Sequence, residues 1–224
     1  MPEVFSPLAE VIATASAQFT AQCYELYGAP PLGALVRAGE DAPVPIRPAH
    51  TGSATPIHSA HAGSATYAVV CNVVTEGVDP SRKPVARGQG LPDEASVYRD
   101  NPQLPKLLRT SLQAAIVGWR DASGSVRYGL PPSPPRIHAF VHACAPEEVC
   151  AFTQRLDFLP LLLSSANNEG GPALTDQVAA AFLRQAASAH PDPQAFLVGA
   201  GRQLARLLAR DAQRLQPILQ GLHG

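Results

Sequence analysis

The run at residues 67–76, YAVVCNVVTE, constrains the fold more than any other segment of this 224-residue chain. It is rich in Val and too short for a stable isolated helix. It is closed by the turn Gly77-Val78-Asp79-Pro80, so it reads as a strand. Shorter segments of the same kind surround it. Residues 10–14 are apolar and β-branched. Residues 18–25 alternate, with Phe19, Ala21 and Cys23 on one face and Thr20 and Gln22 on the other. The turn Gly28-Ala29-Pro30-Pro31 precedes a strand at residues 32–38. Residues 84–87 are expected to add a short strand, and residues 93–98 a helical turn. Residues 107–120 are largely apolar, and 114–119 read as a strand. The hairpin turn Asp121-Ala-Ser-Gly124 leads to a strand at 126–128. Residues 136–144 alternate again, with Ile137, Ala139 and Val141 on one face and His138, Phe140 and His142 on the other.

Between these strands, residues 39–66 lack periodicity and are rich in Pro, Ala, Ser, Thr, Gly and His. His50-Thr-Gly-Ser-Ala-Thr55 recurs as His61-Ala-Gly-Ser-Ala-Thr66. A flexible insertion between two strands is expected at about 39–66. Its His50, His58 and His61 have no neighbouring cysteine or carboxylate and are not expected to hold a metal.

After about residue 144 the pattern turns helical. Pro146, Glu147 and Glu148 suit a helix start, and that helix is expected to end near Leu156. Thr175 is placed to cap a helix reaching Ser188. Asp192-Pro193 begins a last helix expected to continue to Leu222 with a kink near Pro217. The expected fold class is α+β. Residues 1–144 form a small closed β-barrel of about six strands, and residues 145–224 a C-terminal helical subdomain.

Composition narrows the function. The net charge is −1 and charged residues are 16%, which excludes a general polyanion binder but not a local basic surface. The N-terminus has no basic stretch of a secretory signal. The longest apolar run, residues 158–163, is far short of the roughly 20 residues of a membrane helix. A soluble, cytoplasmic protein without membrane contact is expected. Cys23, Cys71, Cys144 and Cys150 form no CxxC pair and read as reduced thiols.

Three segments carry a resemblance: residues 19–39 (FTAQCYELYGAPPLGALVRAG), 67–88 (YAVVCNVVTEGVDPSRKPVARG) and 98–121 (YRDNPQLPKLLRTSLQAAIVGWRD). With Pro-Pro-Leu-Gly before one strand and Asp-Pro-x-Arg-x-Pro after another, they resemble HAS-barrel proteins. That module occurs at the head of HerA-type ATPases and in ATP synthase subunits. The resemblance implies a barrel used as an assembly surface, and a HerA-type ATPase or related DNA-processing machine as the protein partner. It implies no nucleotide hydrolysis here, because the chain has no GxxxxGK[ST] loop, and Gly199-Ala-Gly201 is not followed by Lys and Ser or Thr.

No catalytic motif stands out. GxSxG is absent. On one regular strand His138 and His142 would lie about 13 Å apart, too far to share a metal. No catalytic residue, cofactor or metal site is assigned. Two basic features remain. Arg82, Lys83 and Arg87 cluster after the strongest strand, as a structural turn or as a contact for protein or nucleic acid. Arg202, Arg206, Arg210 and Arg214 recur every four residues, opposite Leu204, Leu207, Leu208, Leu215, Ile218 and Leu219. On one continuous helix they make a basic flank. That flank reads as a solvated face, as a surface for a partner or second copy, or as a nucleic-acid or membrane-surface helix. Asp211 falls on the apolar side and would need a partner such as Arg214 or an intersubunit Arg if buried. The leading expectation is a non-enzymatic interaction or assembly module. A nucleic-acid-associated protein using the basic loop and Arg helix is the first alternative, an enzyme with an unrecognised site the second. Self-association stays open.

Overall fold

A computed structural model describes residues 6–39, 64–79, 81, 83–121, 123–164 and 171–222. Seven strands form one antiparallel sheet: β1 (Ala9–Thr14), β2 (Gln18–Cys23), β3 (Leu35–Gly39), β4 (Ala65–Gly77), β5 (Leu108–Arg120), β6 (Val126–Tyr128) and β7 (Phe140–Ala143). The neighbour order is β2-β1-β7-β3-β4-β5, and β2 then pairs with β5 from Gln18↔Ala115 to Gln22↔Ser111. Six strands therefore close into a barrel. β6 stays outside the ring and, among the described residues, pairs only with the far end of β5. The α+β class and the closed six-stranded barrel match the sequence expectation.

The barrel is narrow, and its filling is correspondingly small. Ala9, Val11, Ala21, Val36, Ala38, Ala68, Val70, Ala114 and Val141 point inward, with Phe19, Leu112 and Ile116 as the bulkier plugs. Residues 65–71 of β4 and 114–118 of β5 are buried on both faces. Ala68 and Val70 enter the barrel, whereas Tyr67, Val69 and Cys71 meet the helices. On β5, Ala114 and Ile116 enter, whereas Ala115 and Val117 meet the helices. That explains why both segments read as nearly continuous apolar runs. Two register shifts in this pair leave Val117 and Cys71 without direct partners, as β-bulges do where a barrel wall coils.

The helical layer comprises α3 (Pro146–Thr153), α4 (Leu159–Ser164), α5 (Gly171–Ser188), α6 (Pro193–Leu207) and α7 (Ala212–Gly221); α1 (Glu94–Asp100) and α2 (Leu104–Leu107) lie in the β4–β5 connection. α5 is the centre of the layer and packs on β4, α3, α4, α6 and α7. An aromatic chain crosses the junction: Tyr67, Phe152, Phe158 and Phe182 follow one another at centroid spacings of 4.9, 5.6 and 5.2 Å. Gly33 (φ +85°) lies directly against the backbone of α5. A Cβ there would lie 2.6 Å from the Phe182 amide nitrogen, so both the backbone angle and the space call for glycine.

Several expectations are corrected. Residues 84–87 form no strand. α5 starts at Gly171, so Thr175 is a buried interior residue rather than a cap. His138 adopts a left-handed conformation (φ +69°) before β7 begins, so it is not on one regular strand with His142. The last helix is two helices. α6 ends at Leu207, and the Asp211 carboxylate accepts the Arg214 N–H to start α7. The break lets α7 turn back on α5 and bury Ile218, which is why it falls there and not at Pro217. His50, His58, His61 and most of the expected insertion lie outside the described residues.

Candidate functional site: a cationic groove at the end of the barrel

β4 and β5 are the longest strands, at 13 residues each, and they outrun their neighbours. β3 pairs with β4 only as far as Leu35↔Val69, with Gly33 and Ala34 bonding Val70. β2 leaves β5 at Ser111. Residues 72–77 are thus hydrogen-bonded to β5 along one edge, and among the described residues nothing pairs the other. Val73 and Val74 are exposed on this arm. Cross-strand pairs hold it: Thr75 and Thr110 hydroxyls meet at 2.9 Å, and Arg109 Nη2 lies 2.7 Å from Glu76 Oε1.

The segment joining the strands folds over the arm's tip. Asp93 caps α1 by accepting from the Ser96 backbone N–H and hydroxyl, each at 2.7 Å; these bonds hold its carboxyl below the usual range. Asp79 accepts from the Ser81 N–H at 2.9 Å and its hydroxyl at 2.6 Å, with the same effect on its titration. Tyr27 fixes the assembly from the β2–β3 side. Its N–H donates to Thr110 Oγ1 at 2.9 Å, and its hydroxyl meets that of Tyr98 at 2.7 Å.

These constraints leave a groove of about 680 Å³. Its walls are Val78, Pro84, Val85, Val97, Leu104 and Leu107, and its cations are Lys83, Arg87 and Lys106, with Asp79 the one acid among the lining residues. Val85 is 75% exposed and Leu107 53%, so both present apolar surface to solvent. Arg87 is steered by Asn101 Oδ1 at 3.4 Å. Among the described residues no carboxylate pairs with Lys83 or Lys106.

Lys83 and Arg87 line the groove together, while Arg82 lies outside the described residues. Lys106 is a third cation that sequence reading missed, because it sits in the short helix Leu-Pro-Lys-Leu at the head of an apolar run.

The Arg stripe, in contrast, does not exist as one surface. Arg202 and Arg206 are exposed on α6, Arg210 is exposed in the connection, and Arg214 turns inward on α7. Its guanidinium clasps buried Asp176 of α5, with Nη2–Oδ1 at 2.7 Å and Nε 3.1 Å from Oδ1, and donates to the Leu163 carbonyl at 3.1 Å. The hydrogen bonds to Asp176 raise the Arg214 pKa further. Arg214 ties α4, α5 and α7 together.

The polar groups lining the groove are cations plus one hydrogen-bonded carboxylate, with no nucleophile and base facing each other. Among the described residues no three His, Cys, Asp or Glu side chains converge as metal ligands, and no described helix is long and apolar enough to cross a membrane. No protein-family model and no curated protein matches the chain. The class is accordingly defined by architecture: an α+β protein built on a closed six-stranded barrel, with an apolar groove under three cations at one end.

Proposed function

We propose that this protein is a non-enzymatic docking module, and that its groove receives an extended, acidic segment of a protein partner carrying apolar anchors. One observation carries the reading: Lys83, Arg87 and Lys106 line an exposed apolar trough at the end of a strand whose other edge is unpaired among the described residues. Apolar side chains of the incoming segment fill the trough. Its carboxylates meet the cations, and its backbone can extend the sheet along residues 72–77. A duplex or single strand of nucleic acid fits less well, because phosphates gain nothing from Val85 and Leu107, and the groove offers no exposed aromatic platform for bases. The HAS-barrel resemblance of residues 19–39, 67–88 and 98–121 nominates a HerA-type ATPase or related DNA-processing machine as the protein bearing the segment.

The test is a photo-crosslinking amino acid placed at Val85 in the native cell. A discrete adduct with one protein, crosslinked through an acidic stretch and lost in Lys83→Glu/Arg87→Glu/Lys106→Glu, is the expected result. A HerA-type ATPase in that adduct supports the family reading. An adduct that survives the charge reversal, or one formed with nucleic acid, overturns the proposal.

A further inference from the structure

The four cysteines are not equivalent. Cys23 and Cys71 are buried in the barrel wall, and Cys144, half-buried, packs against the core. Cys150 alone belongs to neither core and is half-buried on α3. It faces a histidine whose orientation is fixed. His190 follows α5, and its ring stacks on Phe196 at 4.2 Å with planes 19° apart. Its Nε2 lies 2.8 Å from Thr153 Oγ1, and its Nδ1 lies 3.8 Å from Cys150 Sγ.

The threonine decides which nitrogen carries the proton. The Thr153 hydroxyl donates to the Val149 carbonyl at 2.7 Å, so its oxygen is left to accept from His190. Nε2 is then the protonated nitrogen of the neutral ring, and Nδ1 presents its lone pair to the thiol. Burial lowers the His190 pKa, which keeps the ring neutral at neutral pH with the Nδ1 lone pair free. The arrangement is that of a nucleophile, a base and an orienting group on two neighbouring elements.

We propose that Cys150 is a modification site, a thiol that exchanges with low-molecular-weight disulfides with His190 as its base. The proton on Sγ passes to Nδ1, and the sulfur attacks one sulfur of the small disulfide. That S–S bond breaks as the Cys150 S–S bond forms, and the departing thiolate takes the proton from His190. One disulfide is consumed, one mixed disulfide and one free thiol result, and the disulfide itself is the only oxidant. The site stands on α3 and the α5–α6 corner, apart from the docking groove, and does not depend on it.

The test uses the full chain and oxidised glutathione as the probe, read by intact mass and by mapping the modified peptide. A single glutathione is expected on Cys150 first. His190→Ala is expected to slow that step by about tenfold or more, and added imidazole, which can enter the space beside Phe196, is expected to restore it. Restoration distinguishes a base from a packing residue. Where circular dichroism shows His190→Ala unfolded, Thr153→Val is measured instead and is expected to slow the same step. First modification at another cysteine, or an unchanged rate at Cys150 in the folded variant, overturns the proposal.

Discussion

The Tyr67 hydroxyl donates a 2.8 Å hydrogen bond to Glu148 Oε1, joining the outer wall of β4 to the first turn of α3. The same carboxylate oxygen lies 3.2 Å from Arg37 Nε on β3. Burial, and then the Glu148 charge, push the Tyr67 phenol well above its ordinary range, so it is a donor at neutral pH. Tyr67→Phe removes one hydrogen bond and is expected to cost about 1 kcal/mol. Glu148→Ala takes the carboxylate from nearly buried Arg37 as well, and is expected to cost about 3 kcal/mol. Urea unfolding midpoints of the two variants check the order; equal losses refute the shared role of Glu148.

The division of the last helix predicts unequal arginines. Arg214→Ala leaves buried Asp176 without its guanidinium and is expected to destabilise the fold by about 3 kcal/mol. Arg202→Ala, Arg206→Ala and Arg210→Ala remove exposed cations and are each expected to stay within about 0.5 kcal/mol of the parent. Thermal unfolding of the four variants measures this. Four similar shifts would mean the side chains share one face after all.

Gly33→Ala forces a side chain into a left-handed backbone position and against the Phe182 amide at once. A loss of roughly 3 kcal/mol is expected from the combined strain and overlap. The control is Gly124→Ala, which has a comparable φ of +85° but open space around it, and is expected to lose less.

Thiol titration gives a pH prediction. Burial lifts the Cys71 thiol from an ordinary value of 9.0 to about 11. For a group raised on folding, the stabilisation is fully present below the unfolded value and fades as pH climbs through the folded one. Cys71 therefore favours the native state below about pH 9 and loses that contribution toward pH 11. Iodoacetamide at pH 8 is expected to label Cys71 only after denaturant is added. Rapid labelling of Cys71 in the native protein would contradict its placement against the helices.

How much of this was legible in the sequence depended on how many environments each segment serves. β4 announced itself by composition, yet which of its residues enter the barrel was hidden, because both faces of residues 65–71 are buried and both are apolar. The alternation of Ile137, Ala139 and Val141 ran straight through His138, and nothing in that pattern signals a left-handed residue. Asp192-Pro193 was readable as a helix start because proline marks it. Asp211 makes the equivalent cap for α7 with no proline beside it, and the leucine period continues across the break. Lys83 and Arg87 were visible as a cluster. The groove they line was not, since its wall comes from Val97, Leu104 and Leu107, far along the connection.

Double-sided burial of β4 and β5 has a consequence for biosynthesis. The last barrel strand ends at Ala143 and α5 at Ser188, so a nascent chain carries Tyr67, Val69, Cys71, Ala115 and Val117 as an apolar outer wall until about 45 further residues have emerged to complete α5. The cylinder can close during that interval, but it stays adhesive, and whatever slows the last third of synthesis lengthens the period in which a holdase chaperone has to shield it.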